Sequence, residues 1–234
     1  MDLAARTRWT LRHYWADRLG VAPGAFDGGV SVGAADEGGV QLFERGDALV
    51  VGAPDPLVED LRGRAADAPS VADAAAVREW VPAPVGEVLG PTFYGYTDRE
   101  AFEPVDAEAR VLRPPDEPAH DQFRAAVTEA EWRQGAPGFE AGRTVGAFVG
   151  ERLVATAGWE VWDDLFAHLG VVTHPDYRNR GYGRAVVSLA TERALGEGLL
   201  PQYRTLDEWS GSVRLAEGLG YERFVTAALA KVEE

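Results

Sequence analysis

The stretch Arg178-Asn179-Arg180-Gly181-Tyr182-Gly183 puts cationic side chains and two closely spaced glycines between an apolar run, Leu169 to Thr173, and an amphipathic stripe of Val186, Leu189, Ala190 and Ala194. The run predicts a strand and the stripe a helix. A strand, a short turn, a glycine-spaced loop and a helix in that order aim several backbone N–H groups and the positive helix end at one point. That is how a chain holds a pyrophosphate without a metal. Gly181 and Gly183 are expected to let a phosphate approach the backbone, because neither carries a Cβ. Arg178, Arg180 and Arg184 add positive charge in a chain whose net charge is −15. A P-loop would need Gly-x-x-x-x-Gly-Lys-Ser/Thr, and the one lysine of the chain is Lys231. A dinucleotide fingerprint would need a third glycine at the position that Val186 occupies.

The remaining pattern, Arg-x-x-Gly-x-Gly, resembles the GNAT superfamily of N-acetyltransferases. Val171-Val-Thr-His-Pro-Asp-Tyr-Arg178 looks like that family's fourth strand and its exit, and Ser212-Val-Arg-Leu-Ala-Glu-Gly-Leu-Gly-Tyr221 looks like its closing helix. The resemblance covers roughly residues 107 to 234 and implies a mixed central sheet flanked by helices, an α/β fold. It also implies acetyl-CoA as cosubstrate and a primary amine that attacks the thioester directly. The site must then deprotonate the ammonium, hold the thioester carbonyl and protonate the leaving thiolate. By resemblance, the backbone of Val171, Val172 and Thr173 pairs with the pantetheine arm, and one of those N–H groups polarises the acetyl carbonyl. Arg178, Asn179, Arg180, Gly181, Tyr182, Gly183 and Arg184 would cradle the pyrophosphate.

The chain departs from the family pattern at two places. Ala216 stands where the family usually has the tyrosine that protonates the thiolate, and Trp209 where it usually has an asparagine that contacts the cofactor. Ser212, Tyr203 or water are left as the acid. His168 is the first choice of base, because it precedes the acetyl-binding segment on its strand and histidine titrates near neutrality. Asp207 and Glu208 are second candidates, and His174, before Pro175, reads as a loop residue.

Composition bounds the alternatives. At 234 residues and 46% hydrophobic content the chain can fill one or two cores. The absence of cysteine excludes disulfides, thiolate metal sites and a cysteine nucleophile; four scattered histidines give no metal-ligand spacing, so no metal is expected. No apolar run approaches the roughly 20 residues that span a bilayer, and the first residues lack the apolar segment of a secretory signal. A cytoplasmic protein without membrane or nucleic-acid partners is expected, since no basic stripe exists to meet phosphates. A homodimer is left open. The net charge suits attraction of a cationic amine; it also suits a proteome that keeps surfaces acidic, which the skew of 22 arginines to one lysine favours. Three functions follow: an N-acetyltransferase acting on a small-molecule amine, an acyl-CoA-binding sensor without turnover, and a peptide or protein N-acetyltransferase.

The elements that must position these residues read as two domains, 1–106 and 107–234. The first is expected to hold a helix over 5–19, strands over 30–32, 40–43 and 48–51, helices over 55–65 and 71–80, and a strand over 92–96. The second is expected to run strand 110–113, helix 118–133, strands 144–149 and 153–161 around Gly150-Glu151, strand 166–173, helix 182–195, strand 202–206, helix 211–218 and strand 223–231. This is the GNAT order of elements. The first domain is either a degenerate GNAT-like repeat or an unrelated α/β cap. Its own strand-turn-helix, Leu49 to Asp60, places Asp55, Glu59 and Asp60 in the helix; these favour a helix start and would repel a pyrophosphate, so no cofactor is expected there.

Overall fold

A computed structural model describes residues 2–35, 38–135 and 138–233. The chain divides into two compact units, and neither is continuous in sequence. The first holds residues 95–204 and 214–222, and the second residues 3–94, 205–213 and 223–234. These limits do not coincide with the expected boundary at 106/107. The reason is strand pairing: the last strand, β10 (Glu222–Val232), lies antiparallel to β2 (Val40–Arg45), with Ala228 opposite Leu42, and so belongs with the N-terminal residues.

In the first unit β5 (Arg110–Val111), β6 (Val145–Val149), β7 (Arg152–Trp162) and β8 (Phe166–Thr173) pair antiparallel in sequence order. Gly150, at φ 61°, supplies the left-handed residue of the β6–β7 turn. The chain then crosses through α6 (Tyr182–Gly196) to β9 (Leu200–Leu206), which runs parallel to β8. Such a parallel connection needs a helix-length crossover. Nine residues of α6 are buried, among them Ala185, Val186, Val187, Ala190 and Ala194, and the helix packs on β6, β7 and β8. The single helix expected over 118–133 is two helices, α4 (Glu117–Ala125) and α5 (Glu129–Gly135). A capping box makes the break: the Thr128 hydroxyl accepts from the Glu131 N–H, and the Glu131 carboxylate accepts from the Thr128 N–H and hydroxyl. Phe123, Val127, Leu153 and Val172 close a core beneath these two helices.

In the second unit the order is β1 (Gly29–Ala34), β3 (Ala48–Ala53), β2, β10 and β4 (Val85–Tyr96), with β1 parallel to β3. Helices α1 (Ala5–Arg18), α2 (Asp55–Gly63) and α3 (Ala74–Trp80) complete it, around a core that includes Leu42, Val51, Leu61, Val77 and Ala230. Here β1 skips β2 to pair with β3, whereas β6, β7 and β8 form a meander, so the two units order their strands differently. The last helix, α7 (Ser210–Glu217), contributes residues to both units.

Candidate active site

The edge of β8 decides which backbone groups can meet a ligand. The His174 N–H donates to the Val154 carbonyl of β7 at 2.8 Å, and Val172 stands opposite Thr156 in the same ladder. Backbone groups of successive strand residues alternate in direction. Val172 therefore spends its N–H and C=O on β7, while those of Val171 and Thr173 face the opposite edge. On that edge the register with β9 runs from Phe166–Leu200 to Leu169–Tyr203. The Thr173 carbonyl accepts from the Arg178 Nε at 3.2 Å. Both backbone groups of Val171 and the N–H of Thr173 are thus presented beyond the paired stretch. Gly135, the last residue of α5, comes so close that a Cβ there would lie 3.0 Å from the Val171 carbonyl.

After β8 a short 3₁₀ turn, Pro175–Tyr177, leads into the glycine loop. Asn179 and Gly181 both have left-handed backbones, at φ 59° and 86°, one on either side of Arg180. Such alternation turns successive N–H groups inward into an anion-binding concavity. Gly181 is the N-cap of α6 and offers no side-chain cap to the first-turn N–H groups. The structure separates the jobs of the two glycines. A Cβ on Gly181 would meet nothing within 4 Å, so that residue is required for its backbone angle. A Cβ on Gly183 would lie 2.9 Å from the Thr173 Oγ1 and 3.3 Å from the Leu215 Cδ1. Gly183 therefore also has a packing role, letting α6 seat against β8, beside the phosphate approach expected of both glycines.

The arginines also divide. Arg178 ion-pairs with Glu131 at 2.5 Å while it caps Thr173, and Arg184 donates to the Gly218 carbonyl at 2.5 Å. Both guanidinium groups thus have protein partners. The Glu131 carboxyl is held below its ordinary range first by the Thr128 hydroxyl and then by Arg178. The Arg180 guanidinium lies 5.4 Å from the Tyr177 ring centre and is exposed beside the loop. Arg152, which the sequence reading did not single out, lies 5.6 Å from the same ring and donates to the His174 Nε2 at 2.7 Å. The buried His174 is thereby a structural part of the strand exit.

His168 sits in a polar chain that runs across β8 and β9. Its Nδ1 is 3.0 Å from the Gln202 Oε1, and the Gln202 amide nitrogen donates to the Tyr96 hydroxyl at 2.5 Å. An amide oxygen only accepts, so Nδ1 carries the proton and Nε2 is left as the acceptor. Trp162 stacks on the ring at 4.0 Å with an interplanar angle of 16°. Burial lowers the pKa of His168 to about 4, with the Arg204 charge acting in the same direction and the Gln202 bond opposing it. Gln202, Tyr96 and Trp162 were missed from sequence. Gln202 is fully buried, but in the run Leu200-Pro-Gln-Tyr-Arg-Thr-Leu206 no sequence signal sets it apart from the polar Arg204 and Thr205 beside it.

The other candidates have different surroundings. Asp207 and Ser212 belong to the second unit. The Asp207 carboxylate is engaged by Arg223 at 2.8 and 2.9 Å, and the Ser212 N–H donates to the Trp209 carbonyl at 2.8 Å. Glu208 is exposed. Tyr203 is buried edge-on to Tyr221, whose hydroxyl bonds the Thr191 hydroxyl of α6 at 2.6 Å. Ala216 is fully buried. Among the described residues no group of three His, Cys, Asp or Glu could hold a metal ion, and no helix is long and apolar enough to cross a membrane.

Residues 107–221 match the family model described as Acetyltransferase (GNAT) family. The fold is similar to that of a GNAT-family acetyltransferase from Colwellia psychrerythraea, at 14% identity and a TM-score of 0.50, over 64% of this chain and 58% of that one. It is also similar to a GCN5-related N-acetyltransferase from Kribbella flavida, at 19% identity and a TM-score of 0.50, over 63% of this chain and 60% of that one. The similar part thus spans less than two thirds of either structure's length. No curated protein sequence matches the chain. Residues 107–221, which contain β8, the glycine loop and α6, thus form a domain of the GNAT acetyltransferase family.

Proposed function

We propose that the protein is an acetyl-CoA-dependent N-acetyltransferase that modifies the primary amine of a small molecule. The observation that carries this reading is the continuity of one binding edge. Val171 and Thr173 present backbone groups past the end of the β8–β9 ladder, and the same strand leads directly into a left-handed loop and an α6 start that Gly181 leaves without a side-chain cap. The donors fit a long ligand with amides in its arm and a pyrophosphate at its end. Val171 and Thr173 would bind the arm, with one N–H directed at the acyl oxygen, and the backbone of Asn179 to Gly183 would hold the pyrophosphate, with Arg180 beside it. Bound acetyl-CoA supplies a thioester that an amine can attack without a covalent enzyme intermediate.

His168 accepts the amine proton at Nε2, directly or through a water, because Gln202 holds the other ring nitrogen as a donor. With its pKa near 4 the ring stays neutral across the physiological range, so it is always in the accepting form. Trp162 fixes the ring plane. Tyr203 or water would return a proton to the thiolate. A second reading, an acyl-CoA sensor without turnover, draws on Ala216, which gives the closing helix no hydroxyl at the position where the resemblance calls for one. A panel of small amines and short peptides with acetyl-CoA and thiol detection tests both. The proposal expects thiol release with a small amine; binding without release would favour the sensor, and release with peptides alone would transfer the function to protein N-acetylation.

A further inference from the structure

One face of α1 in the second unit carries Ala5, Arg8, Trp9, Arg12 and His13, while Leu11, Trp15 and Ala16 are buried on the other. The spacing i, i+3, i+4, i+7 and i+8 makes a continuous stripe along a helix. This stripe forms a wall of a cleft of about 520 Å³, which the 3₁₀ turn Pro23–Asp27 and Arg45 of β2 complete. Three arginines against one carboxylate, Asp27, face this cleft in a chain whose net charge is −15. The arrangement disfavours the helix itself, since Arg8 and Arg12 are like charges four residues apart. The first turn has no acidic residue and the N-cap Ala4 makes no side-chain cap, so the positive helix end adds to the same field.

The cleft also offers a flat apolar surface. Trp9 is 60% exposed, more than any other large hydrophobic residue among those described, and stacks on His13 at 3.8 Å. The His13 Nδ1 donates to the Trp9 carbonyl at 2.8 Å, which fixes the imidazole under the indole. Arg12 ion-pairs with Asp27, whose side chain is 66% exposed, and the Arg12 Nε is buried without an acceptor. Asp27 thus holds the guanidinium in place at the cleft and, being in water, can yield it to another anion. Arg45 is fixed by the Phe224 carbonyl at 2.8 Å and lies over the Phe224 ring at 5.0 Å.

We propose that this cleft binds a small anion attached to a flat ring, an aromatic carboxylate or a nucleoside monophosphate, with the ring on Trp9 and the anion on Arg12 and Arg8. The site is independent of the acetyl-transfer reading. Calorimetric titration of the full chain tests it with salicylate and AMP as probes and with inorganic phosphate and benzamide as controls that carry only one half of the chemistry. Binding of salicylate but not AMP would identify a carboxylate site, and the reverse a nucleotide site. Inorganic phosphate and benzamide should each bind at least tenfold more weakly than the better probe. Arg12→Gln and Trp9→Ala should each weaken that probe roughly 10- to 100-fold, the range for losing a charge-assisted pair or a stacked ring. Both positions lie on the cleft side of α1, so circular dichroism should show the fold retained. Failure of both probes to bind at millimolar concentration, or unchanged affinity in Arg12→Gln and Trp9→Ala, would overturn the proposal; the second result would place the ligand elsewhere, such as at the start of α6.

Discussion

Gly183→Ala tests the assignment of that glycine to packing. The new Cβ would lie 2.9 Å from the Thr173 Oγ1, closer than folded proteins tolerate, and 3.3 Å from the Leu215 Cδ1. Either Thr173 or the first turn of α6 must move by several tenths of an ångström. Overpacking of this kind costs about 1–3 kcal/mol, and the preference of a helix for alanine over glycine returns about 0.5–1 kcal/mol. A net loss of about 1–2 kcal/mol corresponds to a Tm lower by roughly 2–8 °C at this chain length. Removing the obstacle should restore stability: Thr173→Ala in the Gly183→Ala background should show a favourable coupling of about 1 kcal/mol in a double-mutant cycle followed by calorimetry. Gly181→Ala is the control. Its Cβ enters open space, so the cost is the left-handed backbone alone, about 1–2 kcal/mol, and adds to that of Thr173→Ala without coupling. A Gly183→Ala protein as stable as the parent, or a cycle without coupling, would refute the packing argument and leave phosphate approach as the sole reason for Gly183.

Gly181→Glu should abolish acetyl-CoA binding in calorimetry. The cause would be charge at the helix end rather than a clash, so Gly181→Gln should retain more affinity than Gly181→Glu. His168→Ala should lower kcat by roughly 10²- to 10⁴-fold with acetyl-CoA affinity nearly intact. Because burial places the His168 pKa at about 4, the parent rate should stay flat as pH falls through neutrality and decline only as the ring protonates near that value; a decline centred near the ordinary histidine pKa of about 6.5 would show that another group is the base. Glu131→Gln should cost about 0.5–1 kcal/mol at neutral pH, discounted for the partial exposure of its pair with Arg178. The Glu131 pKa is depressed in the folded protein, so this difference should be full above the ordinary carboxylate pKa, shrink below it and be lost only as pH falls through the lower folded-state pKa, as urea melts at successively lower pH would show.

The parts of this site that were legible in sequence are those where a residue type answers a backbone demand. Gly181 needs a left-handed angle, Asn179 tolerates one, and the stripe from Val186 to Ala194 must bury itself, so loop and helix followed from local rules. The break between α4 and α5 was equally local, since Thr128 and Glu131 spell a capping box, but the apolar spacing of Phe123, Val127 and Trp132 continues across it and hides it. Pairing over long separations left no such trace. That β10 belongs beside β2 depends on matching Thr226–Ala230 with Val40–Glu44 across most of the chain, and alternation alone selects no partner. The limits of the two units depend on that pairing.

The same distinction explains why the arginines and the histidine were harder to read than the glycines. A guanidinium near an anion loop has two uses, neutralising the ligand or satisfying protein carbonyls and carboxylates, and composition does not choose between them. Arg178 and Arg184 have at least the second: one ties the cap of α5 to the end of β8, the other ties α6 to the end of α7. They hold the edge and the helix in the geometry that lets backbone N–H groups face a ligand. His168 likewise depends on Gln202, 34 residues away, which decides the nitrogen that bears the proton. Replacing Gln202 with Glu would keep an acceptor at Nδ1 and add a negative charge, raising the His168 pKa. A Gln202→Glu protein should therefore move the acid limb of the rate upward, with kcat affected more than the affinity for acetyl-CoA. An unmoved limb would separate His168 from the proton transfer even if His168→Ala were slow.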